Sequence, residues 1–454
     1  MFAVRSLLPG LLLALPSVAM AQRVPVPDAD PRIQKLVASV SEQRLRDLNV
    51  KLASFATRST LSDATSTTRG IGAARQWMLE ELKRSSPRLQ VSFDTHRIAP
   101  QGRITREVEL RNVMAVLPGK SPRRVYITGH YDTVNLGGGG QLALNAGAGA
   151  NPQASREFNH DVDAPGANDD GSGTVLTMEL ARVFAESGIE FDATLVFMCW
   201  AGEEQGLIGS TAHAQQLAAD QVVVEANFNN DIIGNIQGGG GLIDGESVRV
   251  YSLGPEDSMN RALARYIQRV AATYVPSHGI RLMAREDRFG RGSDHSSFTS
   301  FGFPAVVFRE ANENYSRQHT ANDTVGGVNF AYLAQNTRVN AAGAASVALA
   351  PPAPKVTGPA GQALVSRNPS GYDATLQWAP SPGAAGYRIY WRDTWNNSWE
   401  RSQVVGNVTQ FTLAGLSIDD WVFGVAAIGA DGAESLVSAY VSPTRRVNEV
   451  KLVK

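Results

Sequence analysis

One cysteine in 454 residues excludes an internal disulfide, so stability has to come from a packed core rather than from cross-links. That residue, Cys199, sits inside an apolar run and reads as a small core side chain. Charge of one sign is also lacking: 42 Lys and Arg against 43 Asp and Glu leave a formal net charge of -1. Such a balance argues against nucleic acid or an anionic membrane as an electrostatic partner. Long apolar runs are scarce as well. The stretch 7–18 near the N-terminus is interrupted by Pro9 and Pro16 and is too short to span a bilayer.

That stretch has a different reading. Arg5, the apolar segment and Ala19-Met20-Ala21 supply the positive, apolar and small-residue parts of an export signal over residues 1–21. The expected mature chain begins at Gln22 and is periplasmic or secreted. No cysteine follows the cleavage site, so a soluble protein without a lipid anchor is expected.

With 43% hydrophobic residues the chain has material for two or three domains. Residues 22–31 form a proline-dotted linker. Ile33, Leu36, Val37, Val40, Leu45, Leu48 and Leu52 recur at helical spacing and predict a helix over 32–56; a second is expected over 70–84. Alternating segments 91–98 and 107–117 read as paired strands. Short apolar strands (124–129, 194–200, 222–229, 248–253, 304–308) then alternate with helices at 173–187, from 210, at 255–272 and at 329–348. This order predicts an α/β domain over 32–350, a mainly parallel mixed sheet with helices on both faces. A Gly- and Ala-rich insert, 137–150, has no periodicity and reads equally as a lid or as disorder. Residues 351–354 are a stiff Pro-rich linker. Beyond it, 355–454 shows short alternating runs at 374–378, 386–391, 410–413 and 421–428, the spacing of a small all-β sandwich.

The most informative stretch is Ala201-Gly202-Glu203-Glu204-Gln205-Gly206. Two carboxylates directly after a buried strand are costly without a partner. An acidic surface turn is the plain alternative until other strand ends are considered. His130 with Asp132, Asp169-Asp170, Asp231 and His319 also fall at strand ends or in the loops beyond them. Each is weak alone, and Asp169-Asp170-Gly171 also suits a turn capping the next helix. In a parallel sheet, however, such ends converge on one edge. Two histidines with several carboxylates and no available thiolate suit zinc, with cobalt or manganese as substitutes.

The segments Gly129-His130-Tyr131-Asp132-Thr133, Gly166-Ala167-Asn168-Asp169-Asp170-Gly171-Ser172-Gly173, the Glu203-Glu204 stretch, Asn229-Asn230-Asp231 and His319-Thr320 occur in an order that resembles the dizinc leucyl-type aminopeptidase family. That family includes glutaminyl cyclases, plasma glutamate-type carboxypeptidases and inactive receptor ectodomains. The resemblance covers about 32–350. It implies two Zn2+, with Asp169 bridging them across a cis peptide to Asp170. His130 and Asp231 would complete one site, Glu204 and His319 the other. Glu203 would be the general base and Asp132 would orient the metal-site residues. Gln318 stands where some relatives carry a tyrosine, with Tyr315 nearby. Ser293-Asp294-His295 resembles a loop near the substrate pocket, which makes His295 and Tyr315 the candidate substrate contacts, with a structural role for His295 equally open.

The expected function is removal of residues from peptide N-termini. A carboxypeptidase or dipeptidase on the same site is the alternative. A non-catalytic binding or adhesion protein is the alternative from another class. The C-terminal piece resembles a fibronectin type III domain, with Leu376-Gln377-Trp378 and Tyr387-Arg388-Ile389-Tyr390 as facing strands. Trp391, Trp395 and Trp399 could there contact cell wall or polymer, or simply pack.

Overall fold

The computed structural model describes residues 29–136 and 159–441. The export signal (1–21), most of the first linker and the Gly-rich insert expected from sequence lie outside the described residues.

The single N-terminal helix expected from periodicity is two, α1 (Pro31–Ala38) and α2 (Glu42–Ala53). Two serines cause the break. Ser39 Oγ donates to the Lys35 carbonyl at 2.8 Å and closes α1, while Ser41 Oγ accepts the Arg44 N–H at 3.2 Å and opens α2. The periodic residues Leu36, Leu45 and Leu52 are buried all the same. After α3 (Gly70–Ser85), β1 (Gln90–Ile98) and β2 (Val108–Leu117) pair antiparallel as their alternation predicts.

Strands and helices then alternate: β3 (Ser121–His130), α4 (Gly171–Glu186), β4 (Ala193–Trp200), α5 (Ile208–Ala219), β5 (Val224–Asn230) and β6 (Ser247–Tyr251). The series ends with α6 (Met259–Tyr274), β7 (Gly279–Met283), α7 (His295–Ser300), β8 (Ala305–Glu310) and α8 (Phe330–Leu349). The strands form one eight-stranded mixed sheet in the order β1-β2-β4-β3-β5-β8-β6-β7. Its centre, β4-β3-β5-β8, is parallel, while β2 and β6 join it antiparallel. Burial along β8, and along β4 apart from the half-buried Thr194, matches their apolar runs. α5 starts at Ile208, two residues before the expected 210, and Ser210 Oγ lies inside it, turned to the Leu207 carbonyl and to Ser297.

Register places the site. His130 is aligned with Trp200, and Thr128 with Asn229, so the three parallel strands end together at one edge. The loops that leave β3, β4 and β5 all emerge at that edge.

The C-terminal part is two small antiparallel sheets. Its strands are β9 (Val365–Arg367), β10 (Asp373–Gln377), β11 (Ala384–Asp393), β12 (Arg401–Gly406), β13 (Gln410–Ala414), β14 (Trp421–Gly429) and β15 (Ser438–Ala439). They pair as β13-β10-β9 and β12-β11-β14-β15. Trp378 and Tyr387 meet in the core between them with ring centroids 5.3 Å apart. Of the three tryptophans considered for surface contact, only Trp395 is exposed, at 95%. Trp391 packs against the core and Trp399 lies against Tyr390 at 5.9 Å. These sheets dock on α6, where Tyr266 Oη donates to the Glu434 carbonyl and Arg269 pairs with the Glu434 carboxylate, both at 2.8 Å.

Candidate metal centre

His130, the last residue of β3, is fully buried, and its ring is oriented by its own loop. Nδ1 lies 3.1 Å from the Asp132 carbonyl. A carbonyl only accepts, so the proton is assigned to Nδ1 and Nε2 presents its lone pair. Facing Nε2 are Asp169 Oδ1 at 3.4 Å, Asp231 Oδ1 at 3.7 Å and Glu203 Oε2 at 4.0 Å. On the other side of Asp169, His319 Nε2 lies 3.0 Å from Asp169 Oδ2 and 3.3 Å from Glu204 Oε2. Two triads result, His130-Asp169-Asp231 and Asp169-Glu204-His319, and Asp169 belongs to both.

These spacings fit metal ligation. Tetrahedral ligands about 2.0–2.1 Å from zinc stand roughly 3.3–3.4 Å from one another. Asp169 Oδ2 and Glu204 Oε1 are buried and take no hydrogen bond, which is costly for carboxylates awaiting no cation. The electrostatics agree. Burial, with the charges of Asp169 and Glu203, pushes the Glu204 carboxyl well above its ordinary range. His130 is pushed the other way from burial, well upward, by Glu203, Asp132, Asp169 and Asp231. The cluster holds more negative charge than its protein partners balance.

Other side chains hold the ligands in place. Asp132 accepts the Glu203 and Glu204 N–H groups at 3.1 and 3.2 Å, and Thr60 Oγ1 donates to it at 3.1 Å. It thus fixes the doublet's backbone and leaves both glutamate side chains free for the cleft. Asp170, joined to Asp169 by a cis peptide, accepts the N–H of His130 (3.0 Å), Gly173 (2.9 Å) and Ile232 (3.1 Å). The turn-and-cap reading of Asp170 and the site reading of Asp169 therefore hold together. Ser293 Oγ donates to Asp231 Oδ2 at 2.5 Å.

Three positioning residues were not read from the sequence. Asp323 accepts the N–H of Asn168 (3.1 Å) and Asp169 (2.8 Å), tying the loop after His319 to the Asp169 loop. Arg58, fully buried, donates to the carbonyls of Tyr131 (2.6 Å) and Gly166 (2.9 Å). Arg309 Nη1 lies 2.7 Å from Asp231 Oδ1, and Nη2 lies 2.8 Å from Asp287 Oδ2. Nothing local in the sequence marks Asp323 or Arg58; for Arg309 the one available signal was a charge directly after the apolar run 304–308.

The two candidate substrate contacts stand elsewhere. His295 is fully buried at the start of α7, with Nε2 3.0 Å from the Glu286 carbonyl, and does not line the cleft. The loop reaches the site through Ser293 instead. Tyr315, 48% exposed, packs its ring under Arg291 at 5.9 Å and is likewise outside the described lining. Gln318, at the position of the tyrosine in some relatives, is buried and bonded to Glu313 and Arg291. Among the described residues the cleft over the cluster has a volume of about 350 Å³, with His130, Asp169, Glu203, Glu204, Asp231 and His319 on its floor and Arg103, Arg288 and Arg291 on its walls.

A mixed sheet whose strand ends and the loops beyond them bring together two histidines and three carboxylates, with Asp169 shared between two triads, presents the donor set of a metalloprotein. Residues 112–344 match peptidase family M28. A probable zinc metalloprotease of Pyricularia oryzae is 37% identical over 451 residues, covering 90% of this chain and 84% of that protein. Another, of Leptosphaeria maculans, is 34% identical over 444 residues and covers 90% and 96%. Among solved structures, the LapA aminopeptidase of Legionella pneumophila shares the fold with a TM-score of 0.54 at 18% identity, over 76% of this chain and 80% of that one. The chain belongs to peptidase family M28 and is a zinc metallopeptidase.

Proposed function

We propose that the protein is an exported dizinc aminopeptidase, cleaved after Ala21, that releases residues from the N-termini of peptides. Asp169 carries the reading: its two carboxylate oxygens face the two histidines at 3.4 and 3.0 Å, so one side chain serves both triads. When bound, zinc supplies Lewis-acid polarisation of the scissile carbonyl and a nucleophilic water at neutral pH. His130 and Asp231 would hold one ion, Glu204 and His319 the other. Glu203 takes a proton at its carboxylate and returns it to the leaving amine. Asp132 keeps Glu203 aimed into the cleft through the backbone N–H it accepts.

Cleavage near a chain end is supported by size. A cleft of about 350 Å³ is at the small end of the roughly 300–1,000 Å³ usual for small-ligand sites, and has room for one or two residues rather than an extended chain. The test is hydrolysis of an aminoacyl chromogenic amide with a free or an acetylated amino group, with zinc, cobalt or manganese added. Turnover of the free form alone is expected. Turnover of acetylated peptides with a free C-terminus instead would move the assignment to a carboxypeptidase or dipeptidase. The domain scheme 32–350 and 355–454 goes with this reading, the second part being fibronectin type III-like and a spacer or polymer-contact module. The seven-strand, two-sheet pattern with Trp378 between the sheets supports that. A pull-down with full-length protein and its Trp395→Ala variant on cell-wall polymer tests the contact.

A further inference from the structure

Beside the carboxylate-rich floor lies a cluster of the opposite sign. Arg309 pairs with Asp231 and Asp287, and Arg288 pairs with Glu313 at 2.6 Å and with Asp287 at 3.3 Å. Arg249 takes the other Glu313 oxygen at 2.5 Å. Arg291 comes last. It is 3.8 Å from a Glu313 oxygen that Arg288 already occupies, and its hydrogen bond, 3.3 Å, goes to the neutral amide of Gln318. Four guanidinium groups thus share Asp287, Glu313 and Asp231, and Asp231 is also in the metal triad. Glu310, the neighbouring buried carboxyl, is taken by Asn168 and Asn235 and adds no partner.

Among the described residues, Arg291 is therefore the guanidinium of the four whose charge is least balanced, with Asp169 of the metal triads its other acidic neighbour, and it is on the cleft wall. Burial and the nearby Arg288 hold it below the ordinary arginine value, as expected where positive charge is in excess. Tyr315 braces it from below, so its planar fork is pre-organised. A fork of this kind matches a carboxylate in two parallel hydrogen bonds.

We propose that Arg291 binds a substrate carboxylate, and that the preferred peptides carry one within two residues of the scissile bond. The reach comes from size: a 350 Å³ cleft taken as a sphere is about 9 Å across, and extended chain covers roughly 3.3–3.6 Å per residue. The proposal rests on the peptidase reading of this cleft and adds the chemistry of what fills it. A carboxylate of that placement has two sources, an acidic side chain or the C-terminus of a very short peptide.

The experiment uses the full-length zinc-loaded protein and two substrate pairs, each with the amino group free or acetylated. One pair is a dipeptide as free acid and as amide; the other is a C-amidated peptide with Glu or Gln at its first residue. In the wild type, kcat/KM is expected to be at least roughly tenfold higher for the carboxylate member of one pair, chiefly through KM. The free-acid pair would assign the C-terminus, and the Glu/Gln pair the side chain. Arg291→Met should bring that ratio to about one, and Arg291→Lys, which keeps the charge without the fork, to an intermediate value. If Arg291→Met does not fold, the Arg291→Lys ratio decides. Ratios near one in the wild type, ratios unchanged in the variants, or an equal fall in kcat on every member would each overturn the proposal. Turnover confined to the acetylated members overturns the aminopeptidase reading, while the carboxylate ratio still judges Arg291.

Discussion

Two buried charged clusters meet at Asp231, and they solve the problem of burial in opposite ways. In the metal centre, carboxylates crowd around two histidines at separations of 3.0 to 4.0 Å, with oxygens of Asp169 and Glu204 left without hydrogen bonds. In the arginine cluster, most charges are closed into pairs at 2.5 to 2.8 Å. The first arrangement is stable only with added positive charge, whereas the second is largely complete in the protein alone. Spacing mostly wider than a hydrogen bond, around buried carboxylate oxygens that take none, separates a ligand set from a structural ion-pair network.

The comparison breaks first at Glu203. Glu203→Ala should lower kcat about 10²–10⁴-fold on any substrate of the enzyme while zinc content stays as in the wild type. Loss of zinc together with activity would make Glu203 a ligand and merge the two roles assigned to the doublet. Metal content sharpens the other half. If two ions are held as proposed, Glu204→Ala should lose close to one of them by elemental analysis, and Asp169→Asn should lose more, because Asp169 faces both histidines. Equal losses in the two variants would remove the shared role of Asp169.

How much of this the sequence shows depends on the kind of cluster. His130, the Glu203-Glu204 doublet and Asp231 were legible because they end or directly follow strands with strong apolar runs, and parallel strands must end together, whereas Asp169 and His319 lie in loops and took their roles from the family resemblance. The arginine cluster was not, because Arg309, Asp287 and Glu313 are joined only by pairing across loops, which leaves no periodic trace. β7 was missed for a related reason: Gly279–Met283 is a half-exposed strand at the sheet edge with no apolar run. His295 was offered as a substrate contact, with a structural role equally open, because Ser293-Asp294-His295 resembles a loop near the substrate pocket; α7 begins at His295 and buries the ring. The resemblance located the loop and could not choose which of its side chains turns inward, which is Ser293.

Stability tests the closed cluster. Arg309→Met leaves Asp231 and Asp287 without their shared buried cation, and breaking a buried pair on one side costs about 3–5 kcal/mol in denaturant unfolding. A loss below about 1 kcal/mol would place this network with exposed ion pairs.

The smallest effect expected is on the acid limb of stability. Burial alone would raise the Glu313 carboxyl, but Arg288, Arg309 and Arg249 more than offset it and hold Glu313 at about 2, against an ordinary 4.5. A carboxyl depressed in the folded state contributes stability that is fully present above its unfolded value and fades as pH falls towards the folded one. Glu313 should therefore contribute on the order of 3 kcal/mol at neutral pH, lost progressively between about pH 4.5 and pH 2. In Glu313→Gln, unfolding curves measured across that window should flatten by this amount. Asp287, depressed in the same direction by burial outweighed by Arg309 and Arg288, keeps part of the acid slope. Parallel curves for wild type and variant would mean that Glu313 does not anchor the arginines, and Arg291 would then lose the crowding that leaves its charge for substrate.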